Sequence, residues 1–413
     1  MNITRRDLLG AMPLLAAGAA FFRNSRAVAA QRTASNETER FSYKPVVSPN
    51  GATLPWRIKN GAKEFHLVAE PVKHEVARGM VINAWGYNGR TPGPVIEAVE
   101  GDRVRIYVHN KLPERTSVHW HGIFLPNGMD GVAGLTQPHI EPGETYVYEF
   151  VLKQHGVFMY HPHSDEMVEI ALGMMGFFVI HPRTAEPVDR HFVIMLHEWS
   201  VEPGTGTPNP NVMTDFNLFT FNSRAWPGTD PLVVRRGERV RISLGNLSMD
   251  SHPIHIHGHR FWHVGTDGGT IPPSARTPMT TINVPPGTTQ TVEWIADAPG
   301  DWAFHCHKSH HTMNAMNHAL PNVLGVNQRG VEEKIRKVLP EYMAMGETGM
   351  GDMMDMGRPK NTLPMMAGDG PFGPIEMGGM FTVIKVRDGI TRYEDPGWYK
   401  HPPATVARKV AEK

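Results

Sequence analysis

The residue with the most distinctive chemistry is Cys306, the single cysteine among 413 residues. It lies between His305 and His307, and His311 and Met316 follow five and ten residues later. A soft thiolate, imidazole nitrogens and a weak axial thioether are the ligands of electron-transfer copper centres. The spacing therefore predicts a copper site whose ligands include Cys306, His311 and Met316, with a distant histidine as the fourth.

The run from Trp302 to His307 has the pattern of an extended strand, in which successive side chains point to opposite faces. His305 and His307 are then on the face opposite Cys306. If these two histidines bind a second copper site, the Cys306 backbone links the two sites across about 10 Å. The alternative is a buried free cysteine among surface histidines, which the flanking pattern disfavours.

Three other segments repeat this spacing of histidines around one intervening residue. On a strand, residues two apart share a face, so each pair can offer two imidazoles to one cluster. One pair from each of the four segments gives eight histidines: His119, His121, His161, His163, His255, His257, His305 and His307. His252 is left over as the missing ligand of the cysteine site. Other histidines, including His66 and His109, are expected to be ordinary surface or core residues.

In type and order, these motifs resemble the copper motifs of the multicopper oxidases, the laccase-like family, over roughly residues 75 to 320. The resemblance implies four copper ions per chain, in one type 1 site and one trinuclear cluster. The implied type 1 ligands are His252, Cys306, His311 and axial Met316. The implied type 2 ligands are His119 and His255. The implied ligands of the type 3 pair are His121, His161, His163, His257, His305 and His307.

The resemblance also implies a reaction. A reducing substrate would be oxidised one electron at a time at the type 1 copper, and the electrons would pass through Cys306 to His305 and His307. Dioxygen would be reduced to water at the trinuclear cluster, with four electrons consumed. The expected partners are therefore dioxygen and a small electron donor.

Reduction of dioxygen consumes protons, so acidic residues are expected near the cluster. Asp130 matches a family segment whose acid serves proton delivery, and it joins Cys306 as an expected catalytic residue. Asp165 and Glu166 follow His163 directly. Each of these two is either a further proton carrier or a surface carboxylate.

Three functions remain open at the level of sequence. The leading one is an exported laccase-like oxidase of phenols and similar donors, and the second is a cuprous oxidase that protects the cell envelope from copper. A non-enzymatic copper-binding or storage protein is the alternative from another class. A methionine-rich stretch from Met343 to Met380 favours copper handling, because thioether sulfur prefers Cu(I); the alternative is a loop whose methionines have no such role.

The chain contains two copies of one unit. The segment from Pro94 to Ile106 matches that from Pro231 to Ile242, and each copy leads into a histidine pair. The fold class is therefore all-β, with two cupredoxin-like Greek-key β-sandwich domains over residues 40–182 and 188–392. The second domain carries the methionine-rich insertion, residues 318–376, and residues 393–413 form a C-terminal tail.

In this alignment the first domain lacks the cysteine site, because Pro162 stands where the second copy has Cys306. The first domain is therefore expected to supply only half of the trinuclear cluster. The segment between His181 and the opening strands of the second unit is too short for a third sandwich. The chain therefore resembles two-domain laccases with type 1 copper in the second domain. That resemblance implies a homotrimer whose clusters lie between chains.

Residues 1–30 resemble a twin-arginine export signal, with Arg5 and Arg6 before a short apolar run and a small-residue cleavage site. This predicts a periplasmic or secreted protein. The apolar run is too short to span a bilayer. Lys plus Arg equals Asp plus Glu, so no basic field favours nucleic acid.

Overall fold

The computed structural model describes residues 43–184, 188–202, 204–214, 216–314, 334, 337–338, 360–363 and 368–410. The predicted export signal, Met316 and most of the methionine-rich insertion lie outside the described residues. Within the part that is described, no helix is long and apolar enough to cross a membrane.

The first half of the chain forms two facing sheets. Its strands are β1 Trp56–Lys59, β2 Ala62–Ala77, β3 Met80–Tyr87, β4 Ile96–Val99, β5 Arg103–Asn110, β6 His119–His121, β7 Thr145–Val151, β8 Gly156–His161 and β9 Gly176–His181. One sheet has the order β1-β2-β5-β7, with β3 also paired to β2, and the other has the order β4-β9-β8-β6. A short helix, α1 Glu166–Ala171, follows β8. Trp120, Tyr160 and Phe178 are buried between the sheets.

The second half repeats this plan. Its strands are β10 Arg190–Trp199, β11 Leu218–Phe221, β12 Leu232–Arg235, β13 Arg239–Asn246, β14 His252–Ile256, β15 Phe261–Thr266, β16 Gly269–Thr270, β17 Thr277–Met279, β18 Thr281–Val284, β19 Thr288–Ile295, β20 Gly300–Cys306, β21 Asp369–Gly370, β22 Gly373–Pro374 and β23 Phe381–Arg387. One sheet has the order β11-β10-β13-β19-β15-β16, with β17 beside β15, and the other has the order β12-β23-β20-β14-β18. Over the described part of the chain, short 3-10 helices span Asn127–Met129, Pro273–Ala275 and Ser309–Thr312.

The all-β prediction is confirmed, and the repeat is visible in the strand pairing. In the first half β2 runs parallel to β5 and β4 runs parallel to β9; in the second half β10 and β13, and β12 and β23, pair in the same way. Alternation explains why these strands form. In β5, Val104, Ile106 and Val108 point into the core while the intervening side chains face outward.

The two sandwiches contact each other through a further buried cluster. Met159 and Phe177 of the first half pack with Val193 and Met195 of the second half. The Thr289 hydroxyl also donates a hydrogen bond of 2.8 Å to the Val157 carbonyl across this junction. This contact fixes β8, which carries His161, against the second half of the chain.

Candidate metal centres

A first donor set, termed here the thiolate site, consists of Cys306, His252 and His311, all fully buried. Cys306 ends β20 and His252 begins β14, and these strands pair with Ile254 opposite Cys306. His311 lies in the 3-10 helix that follows β20. The structure therefore brings together three residues separated by up to 59 positions in the chain.

The donor atoms of the thiolate site converge on one point. The Cys306 Sγ lies 3.9 Å from His252 Nδ1 and 3.6 Å from His311 Nδ1, and the two nitrogens are 3.0 Å apart. Atoms that share a metal ion at about 2.0–2.3 Å are separated by roughly 3–4 Å. The set of one sulfur and two imidazole nitrogens fits copper. Met316, the expected axial ligand, lies outside the described residues.

Neighbouring groups orient both imidazoles of the thiolate site. The Nε2 of His252 is 2.9 Å from the Ser248 hydroxyl and 3.5 Å from the carboxylate of buried Glu198. The ring of His311 stacks on Phe219 with 4.0 Å between centroids, and its Nε2 lies 3.5 Å from Asp250. These contacts leave both Nδ1 atoms directed at the Cys306 sulfur.

Burial determines the protonation of the thiolate site in the copper-free chain. It lowers the pKa of His252 and of His311 to about 2, so both imidazoles are neutral and offer a lone pair. Burial also raises the pKa of the Cys306 thiol to about 12. A metal that binds this sulfur must therefore displace a tightly held proton.

A second donor set, the N-terminal half-site, consists of His119, His121, His161 and His163. His119 and His161 lie directly opposite each other on β6 and β8. The Nδ1 of His121 is 3.2 Å from the Nε2 of His161. The ring centroids of neighbouring members are 5.3–6.4 Å apart. Strand pairing and alternation therefore gather His119, His121 and His161, and His163 joins them two residues after the end of β8.

A third donor set, the C-terminal half-site, consists of His255, His257, His305 and His307, and it has the same geometry. His255 and His305 lie opposite each other on β14 and β20. The Nε2 atoms of His257 and His305 are 3.2 Å apart. His255 also has its ring centroid 5.5 Å from that of His307. The two half-sites are therefore equivalent positions of the repeated fold.

Backbone carbonyls fix the imidazoles in both half-sites. The Nδ1–H of His119 donates to the Asp130 carbonyl, and that of His255 donates to the Thr280 carbonyl, each at 2.8 Å. His161 and His305 donate to the carbonyls of the residues that follow them, at 2.9 and 2.8 Å. With Nδ1 occupied in this way, the Nε2 lone pairs are available to metal ions.

Burial also favours the neutral, metal-binding form of these imidazoles. It lowers the pKa of His161 to about 3 and that of His305 to about 4. The same cause lowers the pKa of His121 and of His257. Among the described residues, every ring contact between these eight histidines lies within one half-site. A single chain therefore holds two half-sites without a direct imidazole contact between them.

The candidate acids lie at the N-terminal half-site. The Asp130 Oδ1 is 3.5 Å from His119 Nδ1. The Glu166 carboxylate is 3.5 Å from His161 Nδ1 and 3.7 Å from His163 Nε2. Asp165 is exposed at the start of α1. Asp130 and Glu166 are therefore near the imidazoles of this half-site.

Three polar residues beside the thiolate site were not identified from the sequence: Glu198, Ser248 and Asp250. Burial raises the pKa of Glu198 to about 8, although no local pattern marks it. Ser248 and Asp250 precede His252 by four and two residues. Their proximity to a predicted ligand was the available signal.

Comparison with known proteins supports the same interpretation. Residues 69–185 and 202–323 match two family models that both describe multicopper oxidase domains, and together they cover more than half of the chain. Copper resistance protein A from Escherichia coli is 48% identical over 117 residues, which are 28% of this chain and 19% of that protein. Laccase-6 from Oryza sativa subsp. japonica is 32% identical over 238 residues, 52% of this chain and 40% of that protein.

A solved multicopper oxidase, mgLAC, superposes on this chain with a TM-score of 0.60 at 25% sequence identity. The superposition covers 81% of this chain and 91% of the mgLAC chain. Its fold supports the assignment of cupredoxin sandwiches. The chain spans less than half the length of the curated relatives named above. From the two family matches and the three donor sets, the chain belongs to the multicopper oxidase family.

Proposed function

We propose that this protein is a copper-dependent oxidase that couples one-electron oxidation of phenolic or similar donors to four-electron reduction of dioxygen to water. The observation that carries the proposal is the adjacency of two donor sets. Cys306 belongs to the thiolate site, and the preceding residue, His305, belongs to the C-terminal half-site. Copper bound in these sets, four ions per chain in our proposal, would supply the electron transfer and the dioxygen chemistry.

The chain's own residues prepare these sites. Burial of Cys306, His252 and His311 excludes water from the thiolate site. The Cys306 carbonyl accepts a hydrogen bond from His305 Nδ1–H at 2.8 Å, which joins the two sites beyond their shared peptide bond. We assign Asp130 to hold a proton near the N-terminal half-site, because its Oδ1 lies 3.5 Å from His119.

Dioxygen uptake by the copper-loaded protein tests this function. About four molecules of a one-electron phenolic donor should be consumed per dioxygen. Cys306→Ser should lose the blue absorption and the uptake while it keeps the copper held by the histidines. Absence of dioxygen uptake in fully loaded protein would favour the non-enzymatic copper-binding alternative.

A cuprous oxidase is a second candidate. The similarity to copper resistance protein A and the methionine-rich stretch from Met343 to Met380 favour it. Phenol and Cu(I) turnover should be compared on one preparation and on a variant without residues 343–366. We expect the deletion to raise the KM for Cu(I) and to leave phenol oxidation intact, and unchanged Cu(I) kinetics would remove this role.

We also propose that the half-sites of different chains meet in a homotrimer. The lack of an imidazole contact between the half-sites of one described chain supports this arrangement. A variant with His121 and His163 changed to Ala should be inactive, as should one with His257 and His305 changed to Ala. Co-assembled, the two should recover part of the activity, because some interfaces unite two intact half-sites. A fully active monomer in sedimentation would contradict the proposal.

Export by the twin-arginine route to the periplasm or beyond is a further proposal, supported by Arg5 and Arg6 in the predicted signal. Changing both to Lys should leave the protein in the cytoplasm in a fractionation experiment. Export that continues at the parent level would contradict it.

A further inference from the structure

Two histidines outside the three donor sets meet on the solvent face of the first sandwich. His66 lies on β2 and His109 on β5, and these parallel strands pair with Val68 opposite His109. The two rings are nearly parallel, at 9° and 5.5 Å between centroids. The His66 Nδ1 and the His109 Nε2 face each other at 3.2 Å. The sequence had predicted no role for either residue.

The outer nitrogen of each ring has its own partner. The His66 Nε2 is 3.5 Å from the Glu64 carboxylate. The His109 Nδ1 is 2.7 Å from the Thr145 hydroxyl, on the neighbouring strand β7. A carboxylate that holds the outer nitrogen of an imidazole is a usual companion of metal-binding histidines, because it fixes the ring so that the inner lone pair is directed at the metal.

We propose that His66 and His109 form a surface chelate for a divalent copper ion. Their nitrogen separation of 3.2 Å equals that of His121 and His161 in the N-terminal half-site and of His257 and His305 in the C-terminal half-site. With an ion about 2.0–2.1 Å from each nitrogen, the angle between the two nitrogens at the ion would be roughly 100°. Solvent can supply the remaining ligands, since about half of the His66 side chain is exposed.

The metal-free protein can keep the same arrangement. The His109 Nε2–H can donate to His66 Nδ1, while the Thr145 hydroxyl donates to His109 Nδ1. On metal binding the His109 proton moves from Nε2 to Nδ1, and the new Nδ1–H donates a hydrogen bond to the Thr145 hydroxyl oxygen, because a hydroxyl can both donate and accept. Burial is the largest cause that lowers the pKa of His109, which favours the neutral, metal-binding form of that ring. Binding therefore needs no movement of the backbone.

The surroundings of this histidine pair favour metal ions that bind imidazole nitrogen, and they do not favour ions that are held mainly by negative charge. Glu64 is already ion-paired with Arg57 at 2.6 Å, and Lys111 also acts on His109. This environment gives no advantage to Ca²⁺ or Mg²⁺, which prefer oxygen ligands. Among ions that prefer imidazole, Cu²⁺ binds most tightly at a given site. We therefore expect Cu²⁺ to bind ahead of Ni²⁺ and Zn²⁺.

The test is titration of the copper-loaded protein with copper sulfate in a buffer that does not bind the metal. The parent should bind one more Cu²⁺ than His66→Ala or His109→Ala, or bind it at least about tenfold more tightly. His155→Ala is the matched control, because His155 is a similarly exposed histidine 3.4 Å from a carboxylate, Glu100. It should behave as the parent does. Equal stoichiometry and affinity in all four proteins would overturn the proposal.

Pulsed electron paramagnetic resonance gives a second readout that does not depend on turnover. The added Cu²⁺ should show two imidazole nitrogens in the parent and one or none in His109→Ala and His66→Gln. Unchanged blue absorption would verify that each variant is folded and keeps its resident copper. An identical nitrogen signal in the parent and in both variants would also overturn the proposal, since the added ion would then lie elsewhere.

Discussion

Alkaline conditions should destabilise the copper-free protein in part through the thiol of Cys306. Burial raises the pKa of its thiol from 9.0 to about 12. The folded state therefore holds this proton more tightly than the unfolded state does. The resulting stability is fully present below pH 9 and is lost as the pH rises toward 12. Three pKa units correspond to about 4 kcal/mol in total.

Most of that loss of stability occurs above pH 10, where other groups also titrate, but its first part can be measured between pH 8 and pH 10. Between pH 8 and pH 10 the contribution of Cys306 should fall by about 1.4 kcal/mol. The assay is urea unfolding of the copper-free protein at both pH values, followed by tryptophan fluorescence. Cys306→Ala is the comparison, because it lacks the thiol while its cavity penalty does not depend on pH.

Subtracting the Cys306→Ala result from that of the parent cancels the contributions of other groups that titrate in the same pH range. Burial also raises the pKa of Tyr43 and of Tyr148 to about 12, but both chains carry these residues. The parent should therefore lose about 1.4 kcal/mol more than Cys306→Ala between the two pH values. Equal losses would refute the claim that burial holds this thiol protonated. The same proton must leave when copper binds, so copper affinity should rise with pH.

Three other changes, the first of them with a matched control, have defined outcomes. Gly131→Ala should lower the free energy of unfolding by more than about 1 kcal/mol in a denaturant titration and reduce copper bound by His119, because a Cβ there would lie 1.8 Å from the Val118 carbonyl oxygen at φ +84°. Gly134→Ala, at φ +80° with nothing within 4 Å, should cost less. Glu169→Gln should stabilise the protein more at pH 8 than at pH 5, by more than about 1 kcal/mol in urea unfolding, since burial raises the pKa of Glu169 to about 9 and its charged form is disfavoured. Asp130→Asn should slow dioxygen reduction in stopped-flow measurements but leave anaerobic reduction of the thiolate-site copper unchanged; equal slowing of both would indicate a loading defect.

The sequence was most informative where function depends on spacing along one strand. His119 and His121 share a face because they are two apart on β6, and His305 and Cys306 diverge because they are adjacent on β20. These relations follow from backbone geometry alone. The predicted sharing of a face within each histidine pair therefore needed no knowledge of the tertiary structure, whereas the joining of pairs into sets came from the family resemblance.

Contacts between distant strands could not be predicted in the same way. Glu198 approaches His252 from β10, and His66 meets His109 only because β2 and β5 pair in one register. A shift of that register by one residue would turn the facing side chains to opposite sides of the sheet. Such contacts depend on pairing across tens of residues, which a single sequence does not specify.

The three donor sets differ in what must be assembled before they can bind metal. All donors of the thiolate site described above come from one sandwich, and strand pairing between β14 and β20 places two of them. This site can therefore form as soon as the second half of the chain folds. Each half-site offers four imidazoles on one face and, under the proposed trimer, meets its complement only on another chain. Copper should then enter the thiolate site of a monomer, whereas full occupancy of the histidine sites should require the oligomer. Blue absorption in a monomeric fraction that lacks dioxygen uptake would be the signature of this order.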